Sequence, residues 1–218
     1  MKILLLGATG RTGKWILEEA IGRGHSVHAL VRNPAKVKFS NGRLTLFEGT
    51  PADSAALEKA MQGCDAIISA INISRANDFP WSPLRTPKDF LSASMKNIIA
   101  LAQRHFINRI IITSAWGVAE TKSDIPGWFR WFIEHSNIRY PYNDHAVQEA
   151  LLKASTLDWT CVRPVGLTNS KKDKTITVTL DKTPKPTLLI PRRMVAKFMM
   201  DALEKNLYVK QLPVISAK

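Results

Sequence analysis

The sequence predicts an α/β fold, a doubly wound parallel sheet forming one domain over residues 1–218 with a small C-terminal appendage. Three observations carry that expectation. Short apolar runs alternate with segments whose apolar residues fall three and four apart. A glycine-rich turn follows the first run. The alternation persists through about two-thirds of the chain. Strand, helix and strand repeated this often require parallel pairing, with helices covering both faces.

The first run, KILLL (2–6), is apolar throughout, as a strand buried on both faces must be. SVHALV (26–31), LTLF (44–47), AIISAI (66–71), RIIIT (109–113) and DWTCV (158–162) read the same way. Between them lie four helical patterns: GKWILEEAIGRG, SAALEKAMQG, PKDFLSASMKNIIALAQRH and DHAVQEALLKAS. Ser54 is placed to cap the second, Asn143 or Asp144 the fourth, and Gly24 and Gly63 follow helical runs as stop residues. Past Pro164 the rhythm changes to TITVTL, PTLLI, a helix RRMVAKFMMDALEK and a last run LPVI. These form the appendage, at the carboxyl edge of the sheet.

With 218 residues and 45% hydrophobic content the chain can bury a core without metal or disulfide support. Cys64 and Cys161 lie in apolar segments and show no zinc or C-x-x-C spacing. They read as core residues of a protein in a reducing compartment, and a cytoplasmic location is expected. No stretch approaches the roughly 18 apolar residues of a membrane span, so neither a span nor a membrane partner is expected. The net charge is +13, and from Asn169 to Lys218 eleven basic residues face four acidic ones. So positive a field attracts phosphates, nucleic acid or anionic membrane. With no nucleic-acid motif present, a solvated basic surface is the preferred reading and polyanion binding the lesser one.

The stretch GATGRTG sets Gly7, Ala8, Thr9, Gly10, Arg11, Thr12 and Gly13 between the first strand and the first helix. That is where a dinucleotide loop belongs. Glycine at 7 permits the tight turn, at 10 the approach of a pyrophosphate, and at 13 close packing of helix on strand. The helix N-terminus adds free N–H groups and partial positive charge. The spacing is G-x-x-G-x-x-G, not the commoner G-x-G-x-x-G. At the end of the second strand a carboxylate selects a ribose 2′-hydroxyl, whereas arginine pairs with a 2′-phosphate. Arg32 stands there, with Arg11 as a second cation, so NADPH is expected over NADH.

Together with ALVRNPAK, ITSAWG, NDHAVQEALLKASTLDWTCVRPVGLT and TITVTLD, this loop resembles the atypical short-chain dehydrogenase/reductase superfamily. Within it the chain is most similar to the NAD(P)H-binding group that includes biliverdin reductase B, the NADPH-dependent flavin reductases. The resemblance implies a Rossmann fold and NADPH held by Gly7 to Gly13, Arg32, Ser114 and the turn Arg163, Pro164, Val165. It also implies reduction of flavins or other small conjugated acceptors, with His145 of the DH motif beside the nicotinamide. One departure matters. The Tyr-x-x-x-Lys pair of ordinary members is missing, since Asp144, Ala146 and Leu212 stand four places after Tyr140, Tyr142 and Tyr208. That argues against alcohol dehydrogenation and leaves open hydride transfer to a ring that takes its proton from solvent.

Ser114 follows the strand RIIIT, at the sheet edge where open parallel sheets bind ligands. Ser114 and His145 are therefore the candidate catalytic residues, with no metal expected. Tyr140 and Tyr142 read as pocket wall or surface. Trp128, Phe129, Trp131 and Phe132 form either an acceptor lid or a subunit contact. Two functions compete: an NADPH-dependent reductase of a flavin, quinone-like ring or tetrapyrrole, and a non-catalytic NAD(P)-sensing regulator of the NmrA-like kind. The sequence leaves the oligomeric state open.

Overall fold

The computed structural model describes residues 1–218. Six strands form in the expected order: β1 (Lys2–Leu6), β2 (Ser26–Val31), β3 (Leu44–Glu48), β4 (Ala66–Ser69), β5 (Arg109–Thr113) and β6 (Asp158–Pro164). All pair in parallel in the order β3-β2-β1-β4-β5-β6. Alternation along each strand divides the core in two. Ile3, Leu5, Ile68 and Ile111 face one layer; Leu4, Leu6, Ile67, Ile110 and Ile112 face the other.

The first layer holds α1 (Gly13–Gly22) and α6 (Arg192–Glu204), the second α2 (Ser54–Met61), α3 (Phe90–Arg104) and α5 (Arg139–Lys153). Because the chain leaves β1 toward one face and β4 toward the other, a crevice opens at the carboxyl ends of these strands. Gly24 and Gly63 end their helices at φ +88° and +68°, the left-handed conformation that favours glycine there. Asp53, one residue before Ser54, caps α2 by accepting from Ala55 N and Ala56 N. The β2–β3 crossover holds only a 3-10 turn, Pro34–Lys36.

The C-terminal part extends the same sheet. Of its strands β7 (Gly166–Thr168), β8 (Ile176–Thr179), β9 (Leu189–Pro191) and β10 (Val214–Ala217), β10 runs parallel to β6 and β8 antiparallel to β10. Strands β7 and β9 make a separate ribbon. No helix is long and apolar enough to cross a membrane. Both cysteines are buried and unpaired.

Candidate active site

The glycine loop is dictated by its own backbone. At Gly7 the chain turns with φ +89°, and a Cβ there would stand 2.7 Å from the Ala70 carbonyl oxygen. A Cβ on Gly13 would fall 2.0 Å from the Gly7 carbonyl oxygen, so only glycine lets α1 start against the end of β1. No side chain caps the start of α1. Lys14 N already bonds Gly10 O and Trp15 N bonds Thr12 O, so the dipole and the free N–H groups of Arg11, Thr12 and Gly13 remain for an anion.

A cleft of about 900 Å³ runs from this loop across the carboxyl edge of the sheet. Gly7, Thr9, Gly10, Arg11, Thr12, Arg32, Ser114, His145, Pro164 and Val165 all line it. Ala8 and Gly13 do not; Ala8 is buried in the core and Gly13 lies against Gly7. Ser114 Oγ is buried in the cleft wall with no hydrogen-bond partner. A backbone cradle, an uncapped helix start and an orphaned hydroxyl are what a bound dinucleotide needs.

Two further cations that no motif marks for the site, Arg75 and Arg192, also line the cleft. Burial lowers both their pKa values, and the charges of Arg11 and Asp78 reach both. Four arginines thus surround the cleft with Asp78 as the only carboxylate, an arrangement suited to a pyrophosphate and a phosphate monoester. Asp78 takes Arg11 through two hydrogen bonds of 2.8 and 2.9 Å.

At the other end Ser114, Trp116, Phe129, Tyr142 and His145 share a wall. His145 is buried, and its Nδ1 lies 3.0 Å from Gln148 Oε1. Burial lowers its pKa, opposed by Gln148 and by the charges of Glu149 and Asp144. The ring is therefore neutral at neutral pH, and with its Nδ1 proton donated to Gln148 it keeps Nε2 as an acceptor. Burial raises the Tyr142 pKa to about 12, and its hydroxyl donates to the Trp116 carbonyl at 3.4 Å. It is a wall residue whose protonated hydroxyl is a weak acid at neutral pH. Tyr140 lies outside the cleft, beneath Lys88 and Arg139.

The helix expected over DHAVQEALLKAS is α5, which begins at Arg139, earlier than caps at Asn143 or Asp144 would have it; Pro141 is tolerated there because it falls in the first turn. Asp144 caps a different helix. Its carboxylate accepts from Leu91 N at 2.6 Å and Ser92 N at 3.3 Å, at the start of α3. The Arg163 guanidinium points away from the cleft. It donates to Glu149 at 2.9 and 2.5 Å and to Glu120 at 2.6 Å, so the turn presents Pro164 and Val165 to the cleft instead. Among the aromatics of α4 (Gly127–Glu134), Phe129 lines the cleft, whereas Trp128 and Trp131 face solvent.

The profile of the family described as NAD(P)H-binding matches residues 7–206, and the chain belongs to that family. It binds NAD(P)H. Oxidoreductase GME11367 of Pestalotiopsis microspora is 28% identical over 180 residues, 75% of this chain and 66% of that protein. Oxidoreductase nsrR of Aspergillus novofumigatus is 26% identical over 71% of this chain and 61% of its own length. The chain thus spans less than two-thirds of either relative. Among solved structures, the anaerobilin reductase ChuY of Escherichia coli O157:H7 superposes with TM-score 0.81 at 18% identity, covering 100% of this chain and 97% of that one. A short-chain dehydrogenase/reductase of Veillonella parvula, solved in complex with NADP, gives 0.79 at 17% identity, over 99% and 94% of the two chains. At such identities these likenesses establish the fold.

Proposed function

We propose that the chain is an NADPH-dependent reductase that passes hydride to a flat conjugated acceptor: a flavin, a quinone-like ring or a tetrapyrrole. The observation that carries this reading is one cleft joining a phosphate-binding loop to an aromatic wall whose tyrosine and histidine are poor proton donors. NADPH supplies the hydride. Arg32, with Arg11, takes the 2′-phosphate that distinguishes NADPH from NADH. The Ser114 hydroxyl, lacking a protein partner, serves the nicotinamide end. His145 offers its Nε2 lone pair to an N–H or O–H and so orients the acceptor. Phe129, Trp116 and Tyr142 give the ring a flat surface. An acceptor that delocalises charge takes its proton from solvent, which suits a site without the Tyr-Lys pair. That ChuY is described as an anaerobilin reductase supports keeping tetrapyrroles within the acceptor class.

The test is NADPH oxidation against a panel of flavins, quinones and biliverdin, with NADPH and NADH titrated in parallel on wild type and Arg32→Asp. Turnover with at least one acceptor class is expected. The substitution should weaken NADPH binding by roughly 1.5–3 kcal/mol, at least tenfold, and spare NADH. No preference for NADPH in the wild type overturns the role of Arg32. Tight NADPH binding without turnover on any acceptor replaces the reductase with a cofactor sensor.

A further inference from the structure

Helix α4 turns an apolar side to solvent. Trp128 is 69% exposed and Trp131 58%, and the neighbouring loop adds Phe79 at 61% and Trp81 at 47%. These form one continuous surface. Phe79 lies tilted against Trp81 at 5.3 Å, Trp81 meets Phe132 edge-on at 5.7 Å, Phe129 bridges Phe132 to Trp128 at 6.4 and 5.5 Å, and Trp131 stacks on His135 at 4.6 Å. The loop is stitched to the helix: Trp81 Nε1 donates to His135 O, and Asn137 Nδ2 donates to Trp81 O and Ser82 O. The aromatics are therefore held in place. A surface of this kind on a folded domain calls for a covering partner.

The charges beside it select the partner. In the two segments that carry the aromatics, Asp78 is engaged by Arg11 in the cofactor-free chain and Glu134 by Lys122, while exposed Asp89, next to Lys88, forms no salt bridge. Lys88, Arg130 and Arg139 form no salt bridge, and Lys88 and Arg139 lie only over Tyr140. Arg130, on the same helix, lies one turn before Glu134, and its charge reaches that carboxylate. The whole chain carries +13. Tryptophan and phenylalanine amid unpaired cations match the headgroup layer of an anionic bilayer, which takes aromatic rings at its boundary and attracts basic side chains.

We propose that the surface formed by Phe79, Trp81, Trp128 and Trp131 docks peripherally on anionic lipid membranes. No span is involved, since α4 has eight residues. Phe129 belongs both to this surface and to the cleft wall, so docking turns the cleft mouth toward the lipid. The inference stands whether or not the chain turns over an acceptor.

The test is sedimentation of the full chain with vesicles of phosphatidylcholine alone or mixed with phosphatidylglycerol, read alongside tryptophan emission and gel filtration. Binding to the anionic vesicles, weakened by salt and accompanied by a blue shift, is expected. A Trp128→Ser/Trp131→Ser variant should lose at least about tenfold in partitioning, with NADPH affinity unchanged. Lys88→Gln and Arg139→Gln should each lose about fivefold, and only with anionic vesicles. The proposal fails if the anionic vesicles leave the wild type in solution, or if the tryptophan variant partitions as well as wild type. It also fails if gel filtration shows a dimer that the variant splits while vesicles bind neither protein; the surface then belongs to a second copy of this chain.

Discussion

Glu149→Leu and Arg163→Met, singly and together, separate a structural from a cofactor-binding role for Arg163. Arg163 and Glu149 are each about 1% exposed and joined by two hydrogen bonds, while the third contact of Arg163, Glu120, has a side chain 58% exposed. Burial alone would lower the Arg163 pKa, and the bonds to Glu149 and Glu120 raise it instead, so the guanidinium stays charged. Removing Glu149 leaves that charge buried with one solvent-facing partner. Breaking a buried pair costs about 3–5 kcal/mol, and because Glu120 remains, the lower end, about 3 kcal/mol, is expected. The double substitution removes both charges at once and should return to within roughly 1 kcal/mol of wild type, because replacing a buried pair by apolar groups is often neutral. Urea midpoints at neutral pH with unchanged m-values measure this. A double variant as unstable as Glu149→Leu alone would refute the account. NADPH titration of the double variant addresses the other role: affinity should be unchanged, and a tenfold loss would return Arg163 to the cofactor.

Two further outcomes test the same site. The folded His145 pKa lies below 6.5 while the unfolded ring protonates near 6.5, so the unfolded chain takes up the extra proton and stability falls as pH drops below 6.5. The slope reaches at most about 1.4 kcal/mol per pH unit until the folded pKa is passed, and His145→Asn should remove it; an unchanged pH profile of stability excludes the buried neutral ring. Gly13→Ala sets a Cβ 2.0 Å from the Gly7 carbonyl oxygen, which forces a backbone shift. It should cost about 1–3 kcal/mol in urea unfolding and weaken NADPH binding, and wild-type values for both would show that the loop tolerates a side chain.

The sheet was legible because its signal is local. Each of the runs KILLL, SVHALV and RIIIT is apolar at both parities, and each became a strand with residues buried on both faces. Helix starts were less legible, since a cap is a side-chain contact that composition only suggests. Asp53 bonds Ala55 N and Ala56 N, one residue before Ser54, where the sequence places the cap. Asp144 looked like the cap of its own helix and closes α3, more than fifty residues away in the chain. The aromatic surface was unreadable for the same reason: Phe79 and Trp81 belong to one loop, Trp128 and Trp131 to a helix beyond β5, and only folding places them together.

The cleft's charge shows where a motif stops and the fold begins. Arg11 and Arg32 announced themselves by position after a strand, whereas Arg75 follows β4 in an irregular loop and Arg192 opens α6, so neither has a spacing that a sequence could display. Asp78 was hidden likewise, yet it decides how Arg11 is held before a phosphate arrives. The pair is solvent-facing, with side chains 55% and 77% exposed. Exposed ion pairs contribute about 0–1 kcal/mol, while a hydrogen bond to a charged group contributes about 1.5–3 kcal/mol. Arg11 can therefore leave Asp78 for a cofactor phosphate with a net gain, and the ion pair keeps the guanidinium at the cleft mouth without withholding it.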